Sequence, residues 1–108
     1  MPRINIKPLS VNQAWQGKRF KTPKYKSYEK AVLLSLPKLE VPEGSIVIDL
    51  VFGLSSKNAD IDNPVKCFID CLQKKYGFND RNIYYMTIQK FDVGKGDEYI
   101  DFSIEKFN

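Results

Sequence analysis

Residues Ile46-Val47-Ile48-Asp49-Leu50-Val51-Phe52 are apolar on both alternating faces, Asp49 excepted. A strand of this kind belongs in the middle of a sheet, where neighbours flank it on either side and its faces are shielded. Everything else in the chain has to be arranged around it. Upstream, Arg3-Ile4-Asn5-Ile6-Lys7 alternates polar and apolar and reads as a short strand ending before Pro8. Residues 9–21 have no clear period and read as a basic surface loop. Thr22-Pro23 has the form of an N-cap followed by proline in the first helical position, and Tyr25, Tyr28, Val32 and Leu36 form one stripe. A helix is therefore predicted up to about Leu36, where Pro37 stops it.

The downstream half follows the same logic. Ser55 to Asp62 is polar loop, and Asn63-Pro64 repeats the cap-then-proline signal. Val65, Phe68, Ile69 and Leu72 fit the i, i+3, i+4, i+7 spacing of a helix closed by Gly77. Residues 82–91 and 98–106 read as two strands joined by Asp92-Val93-Gly94-Lys95-Gly96-Asp97, a glycine-containing hairpin loop. The order is strand, helix, strand, helix, strand, strand. It predicts a small α/β domain of the mixed α+β kind, with a mixed sheet. At 108 residues there is room for one core, so residues 1–108 are expected to form a single domain. No apolar run approaches the roughly 20 residues of a membrane span, and the first residues lack a signal-peptide apolar stretch. The expectation is a cytoplasmic protein with no membrane partner.

Composition narrows the chemistry. Histidine is absent, which removes Ser-His-Asp and Cys-His machinery and the usual zinc sites. Cys67 and Cys71 lie four apart on one face of the second predicted helix. That arrangement suits a disulfide badly, and two thiols cannot close a tetrahedral zinc site. They read as buried core residues. What remains is carboxylates, lysines and a hard metal ion.

Charge is unevenly spread. Residues 1–38 hold nine Lys/Arg against Glu29 alone, a net +8. Residues 39–108 hold eight Lys/Arg against twelve Asp/Glu, a net −4. The basic block, with Lys18, Arg19, Lys21, Lys24 and Lys26, is interleaved with Trp15, Phe20, Tyr25 and Tyr28. Such a composition fits a nucleic-acid contact, in which lysines neutralise phosphates and release counterions. It equally fits a solvated helix face over core aromatics.

The stretch Asp60-Ile61-Asp62-Asn63-Pro64-Val65-Lys66 carries two carboxylates out of a strand and into a helix start. Acids at i and i+2 are able to converge on one hard cation. Mg²⁺ is commonly held by one or two carboxylates, with water and substrate phosphates completing its shell. Lys66 in the first helical turn is a candidate to set positive charge over a scissile phosphate, and Asp80 is a candidate third carboxylate. By spacing alone the same residues also read as helix caps, a solvated Lys66–Asp70 pair and a turn at Asn79-Asp80.

Taken together, Asp60-Ile61-Asp62-Asn63, Lys66, Asp70 and Tyr76-Gly77-Phe78-Asn79-Asp80 resemble the RusA family of Holliday-junction resolvases, in which D-x-D-N-x-x-K opens a helix and an acidic pair follows a G-F turn. Asn12-Gln13-Ala14-Trp15, Lys18-Arg19-Phe20 and Tyr25-Lys26-Ser27-Tyr28 look like that family's basic-aromatic segment. The resemblance covers about residues 7–90. It implies a homodimeric, Mg²⁺-dependent endonuclease that binds four-way junction DNA and nicks two opposed strands symmetrically in recombination and repair. Asp60, Asp62 and Asp80 take the family's essential carboxylate positions, as metal ligands, and Lys66 its catalytic lysine. The departure is Asn79, where the family often has a second acid beside Asp80.

Two other classes compete with the enzyme. A non-catalytic nucleic-acid-binding module needs the basic block and none of the acids, and a structural interaction domain needs neither. One geometric tension also arises. A straight helix from Pro64 to Tyr76 is about 20 Å long, whereas four residues after it span at most about 14 Å. Either the helix is shorter or sharply folded back against the sheet, or Asp80 meets Asp60 and Asp62 across a dimer interface; the composite site is the favoured expectation of the two, since a two-fold junction enzyme is an isologous dimer.

Overall fold

In the computed structural model, which describes residues 1–16 and 20–108, the predicted central strand is β4 (Ile46–Leu54). It joins β5 (Ile83–Asp92) in parallel and β6 (Tyr99–Lys106) antiparallel. A two-residue β1 (Arg3–Ile4) closes the far side of β6, so the strand order is β1-β6-β4-β5. The parallel pair β4–β5 needs a crossover, and α2 (Val65–Tyr76) supplies it. The tight antiparallel partner β6 follows β5 after a short loop in which Gly96 adopts φ +96°.

The residues of β4 alternate in burial from Ile46 to Phe52, and Gly53 and Leu54 beyond them are buried as well. Ile46, Ile48, Leu50 and Phe52 are buried, while Val47, Asp49 and Val51 are only half-buried. The fold is therefore α+β, as expected. The buried face holds one apolar cluster that takes Val32, Tyr25 and Tyr28 from α1 (Pro23–Ser35) and Phe68, Cys71 and Leu72 from α2. Phe68 sits at its centre, with ring centroids 6.3 Å from Phe52 and 5.7 Å from Phe102. On the opposite face the Asp49 carboxylate accepts hydrogen bonds from the Thr87 and Ser103 hydroxyls, which join β4 to both neighbours. Gly53 lies directly beneath the Tyr99 ring; a Cβ there would come within 2.4 Å of it.

Both long helices begin and end close to where the sequence predicts. Thr22 caps α1, its hydroxyl accepting from the Tyr25 N–H at 3.1 Å. Gly77 ends α2 in the left-handed region at φ +77°. Four local expectations are corrected. The last two strands are not a hairpin: β5 and β6 each pair with β4, which lies between them, so their glycine loop crosses the end of β4. The first strand shrinks to Arg3–Ile4, since only those residues pair with β6. The segment read as loop holds a 3-10 turn at Val11–Gln13 and a small hairpin of β2 (Trp15–Gln16) with β3 (Phe20–Lys21), and it buries Leu9 and Ala14. Asn63 does not cap α2: Pro64 itself occupies the cap position, without a side-chain hydrogen bond.

Cys67 and Cys71 are buried free thiols, as expected. Burial pushes them up to about 11 and about 12 respectively. No helix among the described residues is long and apolar enough to cross a membrane.

Candidate active site

The acidic loop leaves β4 and is fixed at both ends. At its start the Glu98 carboxylate, itself buried, accepts from the Ser55 hydroxyl at 2.7 Å and the Gly96 N–H at 2.8 Å. Sequence reasoning missed Glu98, and the only signal was an acid beside a glycine loop. Further along, the Lys90 ammonium donates to the Ala59 carbonyl at 2.8 Å, and the Val11 N–H donates to the Asn63 carbonyl at 2.9 Å. The second bond ties the N-terminal segment to the acidic loop. Between these anchors the chain makes a tight turn: the Asn63 N–H meets the Asp60 carbonyl and the Val65 N–H meets the Asp62 carbonyl, each at 3.2 Å. The turn delivers Asp62 to the start of α2, one turn away from Lys66.

Asp80 arrives from the other end of α2. After Gly77 reverses the chain, the Asp80 N–H donates to Gln73 Oε1 at 3.0 Å, which lays residues 78–82 back along the helix. Asn79 Oδ1 accepts from the Arg81 N–H at 3.0 Å and starts a 3-10 turn over Asp80–Asn82. Asp80 Oδ2 thereby comes within 4.0 Å of Lys66 Nζ, while Asp70 Oδ1 lies 3.0 Å from the same ammonium. The hydrogen bond to Asp70 raises the Lys66 pKa from its ordinary value, outweighing desolvation, and Asp70 and Asp80 add to it as nearby charges.

Asp62, Lys66 and Asp80 line one open groove of about 570 Å³, between α2 and the free side of β5. Ile69, Met86 and Ile88 give it an apolar floor. The geometric objection to a shared site within one chain therefore falls, because the chain doubles back instead of running on from the helix end. Asp60 is exposed on the turn and does not line this groove. Among the described residues no three acids, histidines or cysteines are gathered as a ready-made metal cage. Two exposed carboxylates facing one groove are nonetheless a donor set that fits a hard cation whose remaining ligands come from water and substrate. The alternative roles read from spacing are present as well, since Lys66 pairs with Asp70 and Asn79 shapes a turn.

The basic-aromatic segment divides in two. Tyr25 and Tyr28 are core residues, whereas Phe20 is exposed and Trp15 partly so, with the Trp15 ring edge-on to Tyr25 at 5.5 Å. Lys24 and Lys26 are exposed on α1. Lys21 is engaged: its ammonium lies 2.8 Å from Glu29, which also holds Lys74 at 2.9 Å. Burial alone would raise the Glu29 carboxyl, but these two lysines outweigh it and hold the pKa below its ordinary value. Lys18 and Arg19 lie outside the described residues.

No curated protein sequence matches the chain. The family profile described as endodeoxyribonuclease RusA matches residues 6–101, from before the basic segment to within the last strand. With that span covering nearly the whole chain, the protein belongs to the RusA family of endodeoxyribonucleases, the metal-dependent nucleases that resolve Holliday junctions.

Proposed function

We propose that this chain, as a homodimer in the cytoplasm, resolves four-way DNA junctions in recombination and repair by Mg²⁺-dependent, symmetric paired nicks. The observation that carries the reading is the meeting of Asp62, Lys66 and Asp80 from two separate loops on one groove. A fold that needed these residues only as caps has no reason to bring Asp80 back along α2 to the helix start.

Asp62 and Asp80, with Asp60 on the adjoining turn, are the residues that would hold Mg²⁺. When bound, the cation supplies Lewis-acid stabilisation of the phosphate and an activated water. Lys66 sets a fixed positive charge at the groove, where negative charge grows on the phosphoryl oxygens as the bond breaks. The Asp70 contact keeps that ammonium protonated and aimed at the groove. Ile69, Met86 and Ile88 lower the local dielectric beneath it, which strengthens these charge interactions. Lys24 and Lys26 on α1 neutralise phosphates of the junction arms, the source of affinity rather than of chemistry.

The experiment is a nicking assay on a synthetic four-way junction, with linear duplex as control and Mg²⁺ added or chelated. Wild-type chain should nick the junction in pairs and leave the duplex intact. Asp62→Asn, Asp80→Asn and Asp60→Asn should each abolish cutting while junction binding stays within a few-fold of wild type. Loss of binding in step with loss of cutting would sink the separation of roles.

A further inference from the structure

The acidic turn hangs from the sheet by two side chains. It leaves the end of β4, and the chain on either side of β4 sends one group to it. Glu98, just before β6, accepts from the Ser55 hydroxyl at 2.7 Å, and Lys90, near the end of β5, donates to the Ala59 carbonyl at 2.8 Å. The bonds in between are local and backbone to backbone. The Ala59 N–H meets the Ser56 carbonyl at 3.3 Å and the Asn63 N–H meets the Asp60 carbonyl at 3.2 Å, until the Val11 N–H reaches the Asn63 carbonyl. From Ser56 to Asp62, therefore, Lys90 supplies the one hydrogen bond to the sheet among the described residues. The carbonyl it holds belongs to the residue immediately before Asp60.

The register of β5 shows how Lys90 comes to that place. Met86, Ile88 and Lys90 stand opposite Ile48, Leu50 and Phe52, so all three project from the face that the helices cover. Met86 and Ile88 floor the groove of Asp62, Lys66 and Asp80, and the same row ends in the Lys90 ammonium. Among the described residues that ammonium takes part in no ion pair. Its charge is given to a carbonyl, and a charge-assisted bond is roughly twice as strong as a neutral one.

We infer that Lys90 is a positioning residue, which through the Ala59 carbonyl sets Asp60 beside Asp62 as a ligand for the divalent cation. The inference rests on the reading of the acids as metal ligands and deepens it. Asp60 stands on the turn outside the groove, so its use as a ligand depends on how firmly the turn is held. Asp62 is secured from the other side, by the Val11–Asn63 bond and the start of α2, and Asp80 is secured by Gln73. Lys90 thus acts on one of the three acids. A bare positive charge near carboxylates predicts the opposite sign: it repels a cation, and its removal tightens metal binding. A positioning role predicts looser binding on removal, since groups that orient metal ligands contribute about 10–100-fold to affinity.

Binding of Mn²⁺, which like Mg²⁺ suits carboxylate oxygens, is read on the full chain without DNA by the loss of the free-ion electron paramagnetic resonance signal. Lys90→Met should weaken it about 10-fold, and Lys90→Arg, whose guanidinium keeps an N–H for the carbonyl, should restore it. In Asp60→Asn chains Lys90→Met should add nothing further, whereas in Asp80→Asn chains it should keep its full effect, as coupling through Asp60 requires. In metal-free Lys90→Met, amide hydrogen exchange should rise at Ala59 and Asn63, whose N–H groups close the turn, and stay unchanged within α2. In nicking, the Mg²⁺ concentration for half-maximal rate should rise about 10-fold while the rate at saturating Mg²⁺ recovers most of its value. Circular dichroism checks folding; should Lys90→Met not fold, Lys90→Gln, uncharged and one atom shorter, takes its place. Unchanged or tighter Mn²⁺ binding, an undiminished loss in the Asp60→Asn background, or unaltered exchange in the turn would overturn the inference. A wild-type chain that binds no Mn²⁺ refutes the metal reading and the inference with it. Binding lost in Asp62→Asn and Asp80→Asn but kept in Lys90→Met refutes the inference alone, and the expected Mn²⁺ pattern without any junction cutting refutes the resolvase reading and leaves Lys90 in its role.

Discussion

Replacing Lys66 by alanine separates a catalytic charge from a structural ion pair, because the structure sets the size of each. As a helix pair with Asp70 at 3.0 Å, Lys66 is more than half exposed and lies N-terminal to its acid, the weaker orientation. Such a pair contributes about 0.3–0.5 kcal/mol. A lysine in the first turn also opposes the helix dipole, so its removal returns part of that amount. The folding stability of Lys66→Ala should therefore fall by less than about 0.5 kcal/mol, a shift of at most about 4 °C in Tm. The cutting rate should fall on the order of 10²–10³, equivalent to about 2.7–4 kcal/mol of lost transition-state stabilisation. Single-turnover nicking of a four-way junction at saturating Mg²⁺, alongside thermal unfolding, measures both. The hydrogen bond from Asp70 raises the Lys66 pKa above its ordinary 10.5, so the charge persists through neutral pH and is lost only as pH rises beyond that value. No alkaline fall in rate should trace to Lys66 below pH 10 or so. Cutting within threefold of wild type would refute the reasoning and return Lys66 to the role of a surface pair.

Lys24→Ala with Lys26→Ala should lower the log–log salt slope of junction binding by about 1.8, two contacts at about 0.9 each. Lys21→Ala should lower it by less, because Glu29 already holds that ammonium. Glu29→Gln should cost about 1 kcal/mol of stability at pH 7 by urea unfolding, for the loss of two lysine contacts. Because its folded-state carboxyl is lowered, that contribution is complete above the unfolded value near 4.5 and is lost as pH falls through the folded value; wild type and variant should converge in acid. Mixing Asp62→Asn chains with Asp80→Asn chains should leave the junction uncut, since each groove of the heterodimer carries a lesion; single-strand nicking after confirmed subunit exchange would instead mean that the two acids meet across the dimer.

The long elements were legible because their signals repeat. The alternation through Ile46–Phe52 specified a strand with two neighbours, and the stripes Tyr25-Tyr28-Val32 and Phe68-Ile69-Leu72 specified which helix faces meet it. Proline and glycine at 23, 37 and 77 set the helix limits by stereochemistry alone. What escaped was whatever rests on a few non-local bonds. The hairpin of Trp15–Gln16 with Phe20–Lys21 is too short for any period, and Ala14 beside it is buried by contacts that no local pattern encodes. The cap at α2 escaped for another reason. Asn63 has its backbone committed to the turn from Asp60, so the cap falls to Pro64 and the asparagine is left without that role.

The site itself was legible as a set of residues but not as a place. Helix length leaves a gap between Asp80 and the start of α2 unless the chain folds back against the sheet, and it does fold back. Three contributions close the gap. Gln73 reaches out from α2 and holds the Asp80 backbone, so the chain re-enters alongside the helix instead of beyond it. Gln73 to Lys66 is then seven residues, about 10 Å of helix. The Lys66 side chain, extended toward the same groove, covers much of what is left and stops 4.0 Å from Asp80. Asp62 lines the same groove from the turn before α2. The two carboxylates thus face one open groove together with the lysine and are not packed as a closed cage. A cage would satisfy a cation by itself; an open groove leaves coordination sites for the phosphate that is to be cut.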